Sequence, residues 1–198
     1  MATAVARKWW ALIGMAVVTA LACAATASAG LITTGSGGYC DPDATRAFAR
    51  WGDSAYYARL MNGGFENGAT GWTLSGGAKV VAGNEPYFVS GNRLDSRSLL
   101  LPAGSSAYSG TVCFALGDWH LRLLMRNVGS ATGGLLTVLD GGTVKGSGAW
   151  SPSPRLALAL SNVTSLLGTR AVAFRFTPVG AGAAYQLDDV YLDPWKGT

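Results

Sequence analysis

Few side chains in this 198-residue chain are equipped for acid–base, nucleophilic or metal chemistry. His120 is the single histidine, so a histidine-based zinc site lacks its ligands. Glu66 and Glu85 are the only glutamates, each in a Gly/Asn loop context, and nothing in their spacing makes them the carboxyl pair that a glycosidase needs. Asp118 stands two residues before His120, on the same face of a strand but without a nucleophile. No Gly-x-Ser-x-Gly occurs, and the serines of Gly104-Ser105-Ser106 and Gly146-Ser147-Gly148 have no histidine near them in sequence. Phosphate-cradling and dinucleotide glycine patterns are absent. These residues predict no catalytic site.

Arginines and aromatics offer binding instead. In His120-Leu121-Arg122-Leu123-Leu124-Met125-Arg126 the alternation has the period of an extended strand. It places His120, Arg122 and Arg126 on one face and Leu121, Leu123 and Met125 on the other. Arg175 and Gln186, from later segments, are expected to join the polar face. Tyr87, Trp119 and Trp150 lie at strand ends or in loops, where rings can stack on sugar faces. Core or edge packing is the competing reading for each of these rings. The face is rich in arginine and poor in carboxylate, so an acidic or cell-wall glycan is the expected ligand rather than a neutral polysaccharide.

The elements that must position these residues begin after an address. Arg7 and Lys8 precede an apolar run from Trp9 to about Ala25, and Ala27-Ser28-Ala29 offers the small residues of a signal-peptidase site. Cleavage after Ala29 is expected, with an uncleaved anchor or a lipid on Cys23 as alternatives. Loss of Arg7 and Lys8 lowers the formal charge from +4 to +2. The remaining arginines are scattered, which argues against nucleic acid. After cleavage no membrane span remains. Export leaves Cys40 and Cys113, for which one disulfide is expected, the alternative being two separate thiols.

Residues 30–60 are expected to form a leader and one short helix packing on the main domain. Asp41 is the candidate N-cap, Pro42 the first helical residue, and Gly52 lies beyond the end. From 61 to 198 short segments of period two alternate with glycine-rich turns. About eight strands are expected, over 79–81, 98–101, 109–115, 121–127, 135–139, 155–160, 171–177 and 185–192. No connection is long enough for a crossover helix, so the sheets are antiparallel and the fold an all-β sandwich of jelly-roll type. Phe174 and Phe176 are expected inward and Arg175 outward.

Two segments are distinctive: Asn62-Gly63-Gly64-Phe65-Glu66-Asn67-Gly68-Ala69-Thr70-Gly71-Trp72, and Tyr185-Gln186-Leu187-Asp188-Asp189-Val190-Tyr191-Leu192-Asp193-Pro194. Together they resemble the opening and closing of galactose-binding-domain-like jelly rolls, especially carbohydrate-binding modules. A closer resemblance is to secreted bacterial proteins that carry equivalents of Cys40 and of Trp51-Gly52-Asp53 ahead of such a domain. The resemblance implies a secreted or cell-surface module that binds carbohydrate without catalysis, the alternative being a structural domain that contacts another envelope protein. It also implies a structural Ca²⁺ held by Glu66 with Asp188 or Asp189, since calcium takes about six to eight oxygens. Phe65 is expected to point into the sandwich and Trp72 to cover its core.

Overall fold

The structure, a computed structural model, describes residues 44–114, 120–130, 135–138, 142–145, 148–152, 154–158 and 170–193. Its strands are β1 (Ala44–Thr45), β2 (Tyr57–Arg59), β3 (Thr73–Ser75), β4 (Lys79–Ala82), β5 (Arg97–Pro102), β6 (Ser106–Tyr108), β7 (Val112–Phe114), β8 (His120–Asn127), β9 (Leu135–Val138), β10 (Gly142–Lys145), β11 (Arg155–Leu158), β12 (Arg170–Val172), β13 (Arg175–Val179) and β14 (Ala184–Asp193). Every pairing among them is antiparallel. The leader peptide, Cys40 and Trp119 lie outside the described residues. No helix among the described residues is long and apolar enough to cross a membrane.

β14 is the axis of the larger, seven-stranded sheet. β8 pairs along one of its edges, while β5 takes the first half of the other edge and β2 the second half. β4, β1 and β11 extend this sheet beyond β5, β2 and β8. The second sheet runs β10-β9-β13-β6-β3, and β12 and β7 pair separately. Between the sheets Leu99, Leu101, Leu121, Leu123, Met125, Tyr185 and Leu187 meet Ala107, Phe174 and Phe176. Phe174 and Phe176 thus face inward as their alternation predicts. The architecture is a jelly-roll β-sandwich.

Two local expectations change. The helix after Pro42 is not formed: Ala44–Thr45 pairs with Tyr57–Ala58 as a strand. Only a 3₁₀ turn over Ala49–Trp51 follows, closed by Gly52 at φ 83°. A segment this short cannot offset the cost of nucleating a helix, and the sheet edge satisfies its backbone instead. The expected 109–115 strand is confined to β7, with β6 ending just before it, and 171–177 divides into β12 and β13. At both breaks Ser109 and Phe174 bond to each other, the Phe174 carbonyl accepting the Ser109 N–H and Ser109 Oγ accepting the Phe174 N–H, both at 2.8 Å.

The closing strand departs from period two at its paired aspartates. Its register against β8 shifts between Asp188 and Tyr191, one residue being extra, and Asp189 takes φ 49°. This β-bulge resets the alternation. Leu187 faces the core before it and Val190 and Leu192 after it, so neither aspartate enters the hydrocarbon. Uninterrupted alternation would have put Asp189 and Tyr191 inward with Leu187.

The opening motif packs against that bulge. The Gly63 N–H donates to the Leu60 carbonyl, the Gly63 carbonyl accepts the Val190 N–H, and a Cβ on Gly63 would lie 2.6 Å from the Val190 carbonyl oxygen. Asn62, at φ 51°, holds the following turn: its amide donates to the carbonyls of Gly68 (2.9 Å) and Thr70 (3.0 Å) and accepts from the Asn67 N–H (3.2 Å). Phe65 is fully buried against Trp72, with ring centroids 5.0 Å apart. The Trp72 indole N–H donates to the Met61 carbonyl at 2.9 Å. The motif closes one end of the sandwich.

Candidate functional site

The outer face of the seven-stranded sheet is partly covered. Phe48, Tyr57, Val89, Leu124 and Tyr191 form a second apolar cluster there, with Trp51, Tyr87 and Trp150 half-buried against it. Phe48 meets Tyr57 and Tyr191 edge-on, at centroid separations of 4.6 and 5.2 Å. The segment from Ala44 to Tyr57 is therefore a strap across the sheet, and each aromatic it buries contributes on the order of 1.5–3 kcal/mol. Asp53 fastens it: one oxygen accepts the Tyr57 hydroxyl (2.6 Å) and pairs with Arg122 (2.9 Å), and the other accepts the Ala55 N–H (3.0 Å).

Beside the strap a circuit of contacts surrounds the half-buried rings. Tyr87 packs on Trp51 at 6.0 Å, and the Trp51 indole N–H donates to the Pro152 carbonyl at 3.2 Å. Two residues back, the Trp150 ring carries the Arg126 guanidinium at 4.8 Å. Arg126 Nε donates to Gln186 Oε1 at 2.7 Å, and Gln186 Nε2 donates to Ser98 Oγ at 2.6 Å. Ser98 Oγ in turn donates to the Gly83 carbonyl, from which the chain returns through Asn84 and Glu85 to Tyr87. Arg50 lies over Trp51 at 4.8 Å and donates to the Tyr87 carbonyl. Aromatic faces flanked by oriented guanidinium and amide groups suit sugar rings and their hydroxyls.

The loop carrying Tyr87 is held from below by acids. Asp188 accepts the N–H groups of Glu85 (3.0 Å) and Asp189 (2.8 Å). Glu85, fully buried, accepts the N–H groups of Tyr87 and Val89. Asp189 accepts the Ser90 N–H at 3.1 Å and pairs with Arg59 at 3.0 Å. Burial, with the charge of Asp189 second, pushes the Asp188 carboxyl up to about 9. Burial likewise raises Asp189, against the pull of Arg59.

These partners do not fit the expected calcium ion. Glu66 accepts the Ser96 (2.9 Å) and Arg97 (2.8 Å) N–H groups through one oxygen. Asp188 faces two amides and Asp189 an amide and a guanidinium, so donors occupy the positions a cation needs. Among the described residues no three His, Cys, Asp or Glu side chains gather into a possible metal set.

Of the expected ligand residues, the structure brings Tyr87, Arg126, Trp150 and Gln186 together on this face. Arg122 is on the same face but is taken by Asp53, with Tyr57 and Phe48 beneath it. His120 is half-buried at the start of β8, opposite Leu158 and Asp193 in register. Arg175 does not join: it is on β13 in the other sheet, its guanidinium 5.3 Å from the Tyr108 ring centre. Alternation fixes the side of a strand but not which sheet the strand enters. Cys113 lies on β7, while its expected partner Cys40 is outside the described residues. Sequence reasoning passed over Arg50, Trp51 and Ser98. Trp51 was visible only as part of the Trp-Gly-Asp triplet, whose aspartate fastens the strap.

No protein-family model matches the chain, and no curated protein matches it. Solved structures similar to it include a family 61 carbohydrate-binding module in complex with β-1,4-galactotriose, at 20% identity and TM-score 0.42, covering 68% of this chain and 96% of that one. A tandem of family 22 modules from Paenibacillus barcinonensis Xyn10C is similar at 17% identity and TM-score 0.48, covering 72% and 47%. A family 11 module from Clostridium thermocellum, in complex with a mixed-linked tetrasaccharide, is similar at 12% identity and TM-score 0.34, covering 69% and 95%.

Proposed function

We propose that the protein is an exported, non-catalytic β-sandwich module that binds carbohydrate at the outer face of the seven-stranded sheet. The observation that carries this reading is Arg126, held between the Trp150 ring at 4.8 Å and Gln186 Oε1 at 2.7 Å. A hydrogen-bond donor fixed over an indole serves recognition of a pyranose: hydroxyls on the donor, apolar C–H groups on the indole surface that the half-buried ring leaves exposed. Tyr87 and Trp51 extend the aromatic surface. Export is supported by the basic, apolar and small-residue order of residues 1–29.

A glycan array probed with the full chain tests the function. Binding to defined glycans, lost in Trp150→Ala while thermal unfolding stays cooperative, supports it. Silence across the array, or binding indifferent to Trp150, overturns it. The second reading, a domain that contacts another envelope protein, is favoured by the strap: Phe48 and Tyr57 already fill part of the face that a long glycan would occupy. A co-purifying protein partner together with a silent array would support that reading.

A further inference from the structure

We propose that the Trp150 site selects glycans carrying carboxylate or sulfate groups, with Arg126 and Arg50 as the anion contacts; this rests on the carbohydrate-binding reading above. Four arginines of this region, Arg50, Arg59, Arg122 and Arg126, sort into two kinds. Arg59 and Arg122 each direct a terminal nitrogen at a carboxylate, Asp189 at 3.0 Å and Asp53 at 2.9 Å. Arg50 and Arg126 form no salt bridge among the described residues, and each instead lies 4.8 Å from the centre of a tryptophan ring.

The nearby acids are already engaged. Asp53 serves Arg122 and Tyr57, Glu85 and Asp188 serve backbone amides, Asp189 serves Arg59 and Ser90, and Asp95 serves Ser90 and Asn92. None of these forms a salt bridge with Arg50 or Arg126, so among the described residues the two guanidiniums stand without a paired carboxylate.

Stacking makes that edge specific rather than merely attractive. A guanidinium held against an indole keeps its in-plane N–H groups at the periphery, in the fork that matches two oxygens of one anion. In Arg126 the Nε is spent on Gln186, which fixes the plane, and the two terminal nitrogens take no partner among the described residues. The guanidinium lies over the Trp150 ring, so one sugar residue meets the fork through its acidic substituent and packs its ring on the part of the half-buried indole left exposed. Carboxylate and sulfate share this two-oxygen geometry, and the probes below separate them.

Isothermal titration of the full chain with a galacturonate trimer, a sulfated galactose trimer and the neutral galactose trimer tests the selection. At least one acidic trimer is expected to bind about tenfold more tightly than the neutral one. The difference is expected to shrink as salt is raised, because part-exposed charges are screened. Arg126→Gln should remove most of the preference, lowering affinity for the acidic trimer far more than for the neutral one. Arg50→Gln should reduce the preference, whereas Lys79→Gln, the same charge loss on exposed β4, should not. Whichever acidic trimer binds identifies the anion. Equal affinity for neutral and acidic trimers overturns the selection and leaves carbohydrate binding standing. A preference that survives both arginine substitutions also overturns it, and binding to none of the three overturns the selection together with the reading beneath it.

Discussion

Asp188 accepts the backbone N–H of Glu85 at 3.0 Å, tying the last strand to a loop that lies 103 residues earlier in the chain. Glu85 passes the constraint on, its carboxylate accepting the N–H groups of Tyr87 and Val89. Two buried acids thus set the position of the aromatic loop at the rim of the site. Without them several buried amides would lack acceptors, a cost of about 1–3 kcal/mol for each group left unpaired.

Glu85→Gln replaces one acceptor oxygen with a donor facing another donor. Stability is expected to fall by about 2 kcal/mol, measured by denaturant unfolding. Amide exchange at Tyr87 and Val89 should quicken more than at Leu123 or Met125. Uniform acceleration across all four would contradict the local role given to Glu85.

The pH dependence follows from the raised carboxyls. Asp188 is pushed up to about 9 by burial first and by the Asp189 charge second, with Glu85 adding a smaller repulsion. Its folded value therefore exceeds the ordinary 3.8, so the folded state holds the proton more tightly than the unfolded chain. The stability it contributes is complete below the ordinary value and is lost as pH rises through the folded one. Asp189, also raised, adds in the same direction. Tm is expected to fall from pH 5 to pH 9, and Asp188→Asn, neutral throughout, should flatten that slope. A slope unchanged in Asp188→Asn would place its origin elsewhere.

Gly63 and Gly64 differ in what an added methyl meets. At Gly63 it meets the Val190 carbonyl oxygen at 2.6 Å, backbone of the bulge that cannot turn aside. Gly63→Ala is expected to cost about 3 kcal/mol, read from thermal or denaturant unfolding. At Gly64 the methyl would collide with the Arg59 guanidinium and break its pair with Asp189. The loss in Gly64→Ala should therefore shrink in an Asp189→Asn background, a coupling that a double-mutant cycle measures.

Asn62 combines a left-handed backbone at φ 51° with three side-chain bonds across its turn. Asn62→Ala loses the bonds and meets the steric cost of that backbone, about 2–3 kcal/mol together. Asn62→Gly loses only the bonds and should cost less. Equal losses in the two variants would show that the backbone geometry contributes nothing.

Much of the sandwich was legible in short-range pattern. The alternation in β8 correctly set Leu121, Leu123 and Met125 inward and Arg122 and Arg126 outward, because side chains on a strand point to opposite faces whatever the partners. The placement of Phe65 and Trp72 was equally local. The site was only half legible. Arg126 lies against Trp150 and Gln186, and Tyr87 borders the same apolar cluster as Trp150, yet Arg175 lies on the other sheet and Arg122 is held by Asp53. Glu66 caps the Ser96 and Arg97 amides, and neither aspartate of the closing pair joins it in a metal set.

The sequence by itself determined the all-β character, the alternation of strands such as β8 and the motif residues that turn the chain, since these depend on neighbours a few positions away. Tertiary structure decided which arginines are paired and which are left at the rim, because the carboxylates that claim them arrive from distant segments: Asp53 from the strap and Asp189 from the bulge. The bulge itself belongs to this second kind. It resets the closing strand by one residue, and that shift keeps Asp189 out of the core, beside Asp188, which faces outward before it and anchors the loop beneath Tyr87.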